Sequence, residues 1–222
     1  MALRSETQVS FPRSYSVSTI EEALVELLGP LTNSGLQTMS LSSLTELAIG
    51  FYTVEESDVV GWTGGLLLLN GRGRPVEFHC TLPVRPSRSH EILYGATLRD
   101  YLIGDAIGSL LIDKCRNRPQ LLCCNQAESL QLGSQSDFPV GLVCESAEIE
   151  EGPITDDTLP NYSALEIAGS TVRIERGSVG QARELIPLLS SFPDLVEPFA
   201  RIREALREAQ KQVSRSRVID AA

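Results

Sequence analysis

The sequence predicts an α+β protein with a mostly antiparallel sheet meander, a long packed helix and a C-terminal amphipathic helical extension. Three observations predict this class. Short apolar runs separated by polar turns fill much of the first half of the chain, a longer stretch with helical spacing follows them, and apolar residues recur at three- or four-residue intervals near the end. With 222 residues, the chain can form one large domain or a domain with an extension.

Three strands are predicted in succession, over residues 47–54, 59–70 and 76–82. Short polar turns separate them, so we expect an antiparallel meander. Pro83 and Pro86 end the third strand because proline cannot donate a hydrogen bond to a ladder.

Helices are predicted on both sides of these strands. The first covers residues 18–28, and a longer one covers 90–114, with Ser87 or Ser89 as its N-cap. Glycines inside the longer helix each weaken it by up to about 1 kcal/mol relative to alanine. A short buried strand over 120–124 comes next.

The remaining residues predict a polar linker over 126–138, strands over 140–145 and 165–175, and two helices. A turn at Gly169-Ser170 divides the second strand into a small hairpin. The last helix has a heptad-like seam. This seam either packs on its own domain or pairs with a second copy of the chain, in which case the interface is formed by Phe199, Ile202, Leu206 and Val213.

Composition changes along the chain predict three regions. Residues 1–17 are expected to be a flexible segment, and residues 18–128 an α+β core domain. Residues 129–222 form a C-terminal region with short strands and two helices, either separate or part of the same domain.

Charge and cysteine content restrict the classes of function. The net charge of −10 argues against general nucleic-acid binding, which usually involves a basic surface. The five cysteines are odd in number and no secretory signal precedes them, so a disulfide framework is not expected. No stretch is apolar enough to span a bilayer. We therefore expect a soluble, cytoplasmic bacterial protein that does not bind membranes.

Basic residues concentrate around the second turn of the meander and the segment after the third strand. They either blunt the edge of an exposed hairpin or bind an anion, because arginine forks and a helix N-terminus both suit phosphate and carboxylate. The predicted anion or partner site consists of Arg72, Arg74, Arg85, Arg88 and His90.

The order of helix, three strands, long helix and strand resembles the core of the PD-(D/E)XK nucleases. In that family, an Asp on one strand and a Glu-x-Lys on the next converge on a divalent metal. The matching positions here are Gly65 and the segment from Glu77 to His79, so the Asp is missing and a His replaces the Lys. The resemblance therefore implies a degenerate relative or a divergent metal-dependent hydrolase. The same order is also similar to small regulatory modules of the PAS or longin kind.

Motifs for nucleophilic catalysis are missing from the sequence. Neighbouring cysteines in a strand point to opposite faces, so Cys123 and Cys124 are not expected to bind a metal together. Free cysteine is among the most buried residue types, so Cys80, Cys123 and Cys124 are predicted to pack in the core, with a metal or thiol site that includes His79 as the alternative. The main prediction is a non-catalytic binding or adaptor module without cofactor or metal, whose partner is a protein or a small anionic ligand. One alternative is a metal-dependent hydrolase centred on Glu77 and His79. The other is a structural subunit that forms a homo-oligomer through its C-terminal helix.

Overall fold

The computed structural model describes residues 47–144, 159–190 and 192–220, with side chains of the last helix described as far as Lys211. Seven strands form one mixed sheet in the order β3-β2-β1-β4-β5-β7-β6, which confirms the predicted α+β class. Their bounds are β1 Ala48–Ser57, β2 Gly61–Asn70, β3 Pro75–Cys80, β4 Leu121–Cys124, β5 Val140–Val143, β6 Tyr162–Ile167 and β7 Ser170–Glu175. The predicted flexible segment over 1–17 and the helix over 18–28 lie outside the described residues.

The predicted meander is present. Strand β2 pairs antiparallel with both β1 and β3. The tight turn between β2 and β3 forms because the Asn70 side chain accepts hydrogen bonds from the backbone N–H groups of Arg72 and Arg74, while Gly73 adopts a φ of +73°. This turn fixes the register of β3, an edge strand that carries Glu77 and His79.

The other strands extend the same sheet. Strand β4 lies parallel to β1, and β5 lies parallel to β4. The hairpin predicted around Gly169 is formed by β6 and β7, and β7 pairs antiparallel with β5. The described part of residues 129–222 therefore contributes strands to the sheet begun by the meander.

The long helix predicted over residues 90–114 is interrupted. Gly95 has a φ of +52°, which ends the first helical segment, and a π-helical stretch occurs further on. Ser87 is the N-cap, because its hydroxyl accepts a hydrogen bond from the backbone N–H of His90. The α-helical bounds are α1 Arg88–Tyr94, α2 Leu98–Asp100, α3 Ser109–Lys114, α4 Val179–Leu185 and α5 Glu197–Asp220. The π-helix is Tyr101–Gly108, and 3₁₀ helices cover Gly95–Thr97, Ala127–Gln135, Arg176–Ser178 and Ile186–Leu189.

Helices cover both faces of the sheet, and two neighbouring glycines of β2 allow their close approach. A Cβ atom on Gly64 would lie 2.1 Å from Cγ2 of Ile107 in the π-helix, and one on Gly65 would lie 2.4 Å from Cγ2 of Ile202 in α5. Since consecutive residues of a strand face opposite sides, the π-helix with α3 lies on one face and α5 on the other.

The seam of α5 packs against its own sheet. Phe199, Ile202 and Leu206 are almost completely buried within the chain. These side chains therefore match the intramolecular alternative and are not exposed for the predicted interface between subunits. The side chain of Val213, the fourth predicted interface residue, lies outside the described part. Among the described helices, none combines the length and apolar character needed to cross a bilayer.

Candidate metal centre

The candidate site lies where edge strand β3 meets the end of α3. Glu77 and His79 are two residues apart on β3, so both side chains are on one face of the sheet. His79 is paired with Leu66, whose side chain belongs to the core on the π-helix side. Cys115 follows α3 directly, and its backbone N–H donates to the carbonyl of Ile112. The sheet and the end of the helix therefore bring these three side chains together.

Three ligating side chains form a compact group. A carboxylate oxygen of Glu77, an imidazole nitrogen of His79 and Sγ of Cys115 all lie within 4.8 Å of one another. Oε1 of Glu77 is 2.5 Å from Nε2 of His79, and His79 is only 5% exposed. The other imidazole nitrogen, Nδ1, is buried without a hydrogen-bond partner. Because buried polar atoms are normally paired, this nitrogen is a place where a water molecule or a ligand can bind.

Glu77 is fixed by several donors. Its oxygens accept hydrogen bonds from the backbone N–H of Arg116 at 2.9 Å, and from the backbone N–H and side-chain amide of Asn117, both at 3.1 Å. Burial alone would raise the pKa of Glu77, but these hydrogen bonds and the one from His79 together lower it below its usual value. Glu77 therefore presents a preorganised carboxylate.

Cys115 contributes a partly buried thiol. Its Sγ lies 3.4 Å from the carbonyl oxygen of Leu111, to which the thiol donates. Burial, followed by the negative charge of Glu77, raises the pKa of the Cys115 thiol to about 12. The thiol therefore keeps its proton at neutral pH unless a bound cation displaces it.

This donor set suits a transition metal. Zinc is commonly bound by cysteine sulfur, histidine nitrogen and carboxylate oxygen, and three protein ligands leave a fourth position for water or substrate. An alternative role needs no metal: inward-facing charges protect an exposed strand edge, and Glu77 ties the loop after α3 to β3. That role accounts for Glu77 but not for the unpartnered nitrogen of His79.

The predicted arginine site is not formed as one cluster. Arg72 and Arg74 lie in the turn between β2 and β3, at one end of this hairpin. Arg85 lies near the opposite end, where its Nε donates to the carbonyl of Val60 at 3.3 Å. A ten-residue strand such as β2 spans about 33 Å, so these two pairs of arginines cannot contact one small ligand together.

The remaining members of the predicted site have partners close by. Arg88 pairs with Glu91 at 2.8 Å on the exposed helix α1. Nδ1 of His90 lies 3.2 Å from the hydroxyl of Ser87, at the start of the same helix. The grouping of these residues with Arg72 and Arg74 reflects their proximity along the chain, not in the fold.

Sequence reasoning identified Glu77 and His79 but did not identify Cys115. Cys80, Cys123 and Cys124 are buried, as predicted for core residues. Cys115 joins the other two ligands only because the helical segment returns along the sheet and ends beside β3. Its one signal in the sequence is its position directly after a predicted helix and next to a basic loop.

No protein-family model and no curated protein sequence matches this chain. Solved structures that match include a variant of endonuclease V from Ciona intestinalis in complex with inosine-containing DNA. It has 15% sequence identity and a TM-score of 0.43, over 78% of this chain and 88% of that one. The catalytic domain of human endonuclease V matches with 15% identity and a TM-score of 0.41, over 87% of this chain and 96% of that one. At this degree of likeness, the activity of this chain has to be argued from its own residues.

Two sequence-based predictions are corrected here. The matching structures are described as endonuclease V, some of them in complex with DNA, which conflicts with the predicted non-catalytic protein- or anion-binding adaptor and with the exclusion of general nucleic-acid binding, so both predictions are withdrawn. The division of the arginines between the two ends of the hairpin also removes the physical basis of the adaptor prediction. The alternative of a metal-dependent hydrolase is closer to these findings.

Proposed function

We propose that this chain is a metal-dependent hydrolase that acts on phosphodiester bonds of nucleic acids. Glu77, His79 and Cys115 would hold the metal. One observation carries the proposal: two side chains of β3 and one from the distant end of α3, each of a different ligating type, place their ligand atoms within 4.8 Å of one another. A bound metal of this kind supplies an activated water at neutral pH and polarises a phosphoryl oxygen.

The surroundings of the site support a phosphate-bearing substrate. Exposed positive side chains flank Cys115 on both sides: Lys114 at the end of α3, and Arg116 and Arg118 in the loop that follows. Arg118 pairs with Asp137, and both side chains are mostly exposed, so a phosphate can compete for this arginine at little cost. Strand β3 is the outermost strand of the sheet, so among the described residues no further strand covers the site on that side.

Each residue has a distinct role in this proposal. Glu77 offers a carboxylate that is already oriented by backbone N–H groups, and His79 offers a rigid imidazole within the sheet. Cys115 completes the ligand set from the helix side. The basic loop binds the negatively charged substrate beside the metal ligands, where its charges are also suited to stabilise the transition state.

The first experiment is a cleavage assay with the purified full chain. Substrates are single- and double-stranded DNA, with and without inosine, and RNA, each with Zn²⁺, Mn²⁺ or Mg²⁺ added. We expect metal-stimulated cleavage that a chelator abolishes. Glu77→Gln and His79→Asn should each lower the rate by at least about 10- to 100-fold, the loss that changes in the outer shell of a metal site already cause.

Matched controls are available elsewhere in the chain. Glu166→Gln changes an exposed glutamate on the opposite edge strand, and His90→Asn changes the other histidine. Both should cleave like the unaltered protein. Cleavage that persists in chelator, or in both ligand variants, contradicts the proposal, as does the failure of every metal to support cleavage of any of these substrates.

A cytoplasmic location is part of the same proposal. All five cysteines are free, and two of them, Cys115 and Cys144, are only partly buried. Partly buried free thiols are typical of a reducing compartment. Fractionation of the source cells with an antibody against this chain would test the location.

A further inference from the structure

On the basis of the proposed metal centre, we infer that its metal is a thiophilic divalent ion of the zinc class, and that Cys115 is the ligand that selects it. The metal-dependent hydrolases that act on phosphodiesters commonly use ions bound through oxygen. The geometry here points to a different donor set, with a specific consequence for which ion binds.

The three donor atoms favour some candidate metal ions over others. Magnesium and calcium are hard cations that take almost only oxygen ligands, whereas thiolate sulfur favours zinc and other soft or borderline ions. Only Glu77 offers oxygen in this group, while His79 offers nitrogen and Cys115 offers sulfur. A magnesium ion would therefore gain one good protein ligand here, and a zinc ion would gain three.

The spacing of the donors also fits a small tetrahedral ion. Metal–ligand distances of about 2.0 to 2.3 Å place tetrahedral ligands roughly 3.3 to 3.8 Å apart. Ligand atoms at the present limit of 4.8 Å would have to approach by about 1 to 1.5 Å, and Oε1 of Glu77 and Nε2 of His79, now 2.5 Å apart, would have to separate by about 0.8 Å. Cys115 lies at the junction of α3 and the loop, so a rotation of its side chain can supply much of this movement.

The protons of the site balance when such an ion binds. The Cys115 thiol loses its proton to solvent as the metal–sulfur bond forms, and the proton between Nε2 of His79 and Glu77 moves to Nδ1 of the same imidazole, so that Nε2 can bind the ion. No electron is transferred, and no oxidant or reductant is required.

Metal binding by the full chain tests this inference. The metal-stripped protein is titrated with Zn²⁺, Co²⁺ and Mg²⁺, and bound metal is measured by elemental analysis after dialysis. We expect one Zn²⁺ per chain, no retained Mg²⁺, and a near-ultraviolet thiolate-to-cobalt charge-transfer band with Co²⁺. Cys115→Ser should lose this band and weaken Zn²⁺ binding by at least about tenfold.

The control is Cys144→Ser, which removes the other partly buried thiol, after strand β5. It should retain the cobalt band and the Zn²⁺ stoichiometry. The band in the unaltered protein is informative even if a variant fails to fold, because it reports directly on sulfur coordination.

The outcomes distinguish this inference from the proposed function. Co²⁺ binding without a thiolate band, or equal Zn²⁺ affinity in Cys115→Ser and the unaltered protein, overturns the role of Cys115 even if the chain cleaves nucleic acid. Zinc binding through Cys115 with no cleavage of any substrate supports the inference and contradicts the hydrolase proposal.

Discussion

The two edge strands of the sheet differ in how far they bury their polar side chains. On β3, the Glu77 side chain is 11% exposed and that of His79 is 5% exposed. The loop after α3 donates backbone hydrogen bonds to Glu77. On β6, Glu166 is exposed and accepts a hydrogen bond from the Thr171 hydroxyl at 2.6 Å. Both strands carry a carboxylate, but only β3 removes it from water.

This difference shows which edge needs a functional explanation. An exposed carboxylate on an edge strand stays hydrated, so it does not lower the stability of the fold, and it discourages pairing with other chains. A buried carboxylate and imidazole must be compensated by partners, and Nδ1 of His79 has none in the described part of the chain. The arrangement on β3 therefore leaves a buried nitrogen that a water molecule or a ligand can pair with, whereas the carboxylate on β6 is compensated by solvation.

Zinc should stabilise the protein through the β3 edge alone. At 100 times its dissociation constant, a ligand adds about 2.7 kcal/mol to the free energy of unfolding. For a chain of this size, this corresponds to a rise in Tm of about 5 to 11 °C. Thermal unfolding with and without Zn²⁺ should show this rise in the unaltered protein and in Glu166→Gln, but not in Glu77→Gln. An equal rise in all three would place the zinc elsewhere.

Two glycine substitutions compare destabilisation on the β3 side of the sheet with destabilisation on the β6 side. A Cβ at Gly64 would lie 2.1 Å from the side chain of Ile107, and one at Gly141 would lie 2.5 Å from the side chain of Val172. Gly64→Ala and Gly141→Ala should each destabilise the fold by about 1 to 3 kcal/mol through overpacking, as measured by urea unfolding.

Only Gly64→Ala should also weaken zinc binding. Ile107 lies in the π-helix that continues into α3, so the added methyl group displaces the segment that positions Cys115. Gly141 contacts β7 and lies apart from this segment. Zinc titrations that give the same affinity for both variants would show that Cys115 is not held by the packing of this helix.

Glu77→Ala and Glu166→Ala should differ in stability even without metal. Loss of Glu77 removes the acceptor for the backbone N–H groups of Arg116 and Asn117, which costs about 1 to 3 kcal/mol when such groups are poorly solvated. Loss of Glu166 should change stability by about 0.5 kcal/mol or less. Urea unfolding of the metal-stripped proteins measures both values, and equal losses would mean that Glu77 is as well solvated as Glu166.

The smallest effect is expected on β6 itself. Thr171→Val removes the hydroxyl that donates to Glu166 and keeps a β-branched side chain that suits a strand. The free energy of unfolding should change by about 0.5 kcal/mol or less. A loss above about 1.5 kcal/mol, three times the limit expected for such a change, would show that the polar groups of β6 contribute more to the free energy of unfolding than solvated edge residues do.

Much of the fold was predictable because local signals and tertiary packing agree. Alternating apolar residues and short turns gave β1, β2 and β3, and the Gly169 turn gave the β6–β7 hairpin. The long helix was predicted as continuous because its apolar spacing persists through Gly95. The positive φ of this glycine ends the first helical segment, and the periodic spacing of apolar residues carries no signal of that break.

The site was only half predictable, for a related reason. Glu77 and His79 lie on one strand, so their shared face follows from alternation alone. Cys115 joins them through a contact between elements far apart in the sequence. Arg72 and Arg85, by contrast, are close in the sequence but separated in space, because an intervening strand carries the chain from one end of the hairpin to the other.

The parallel pairing of β1 with β4 also affects how the protein is made. Strand β2, the antiparallel partner of β1, is complete once Asn70 has been synthesised. Strand β4, the parallel partner on the other side of β1, is complete only at Cys124. A ribosome that adds about 5 to 20 residues per second takes several seconds to synthesise the segment between them. During this interval, the second edge of a strand made almost entirely of core residues lacks its partner and is a template for aggregation. A nascent chain of this protein is therefore most exposed to aggregation at the stage when only the meander has emerged.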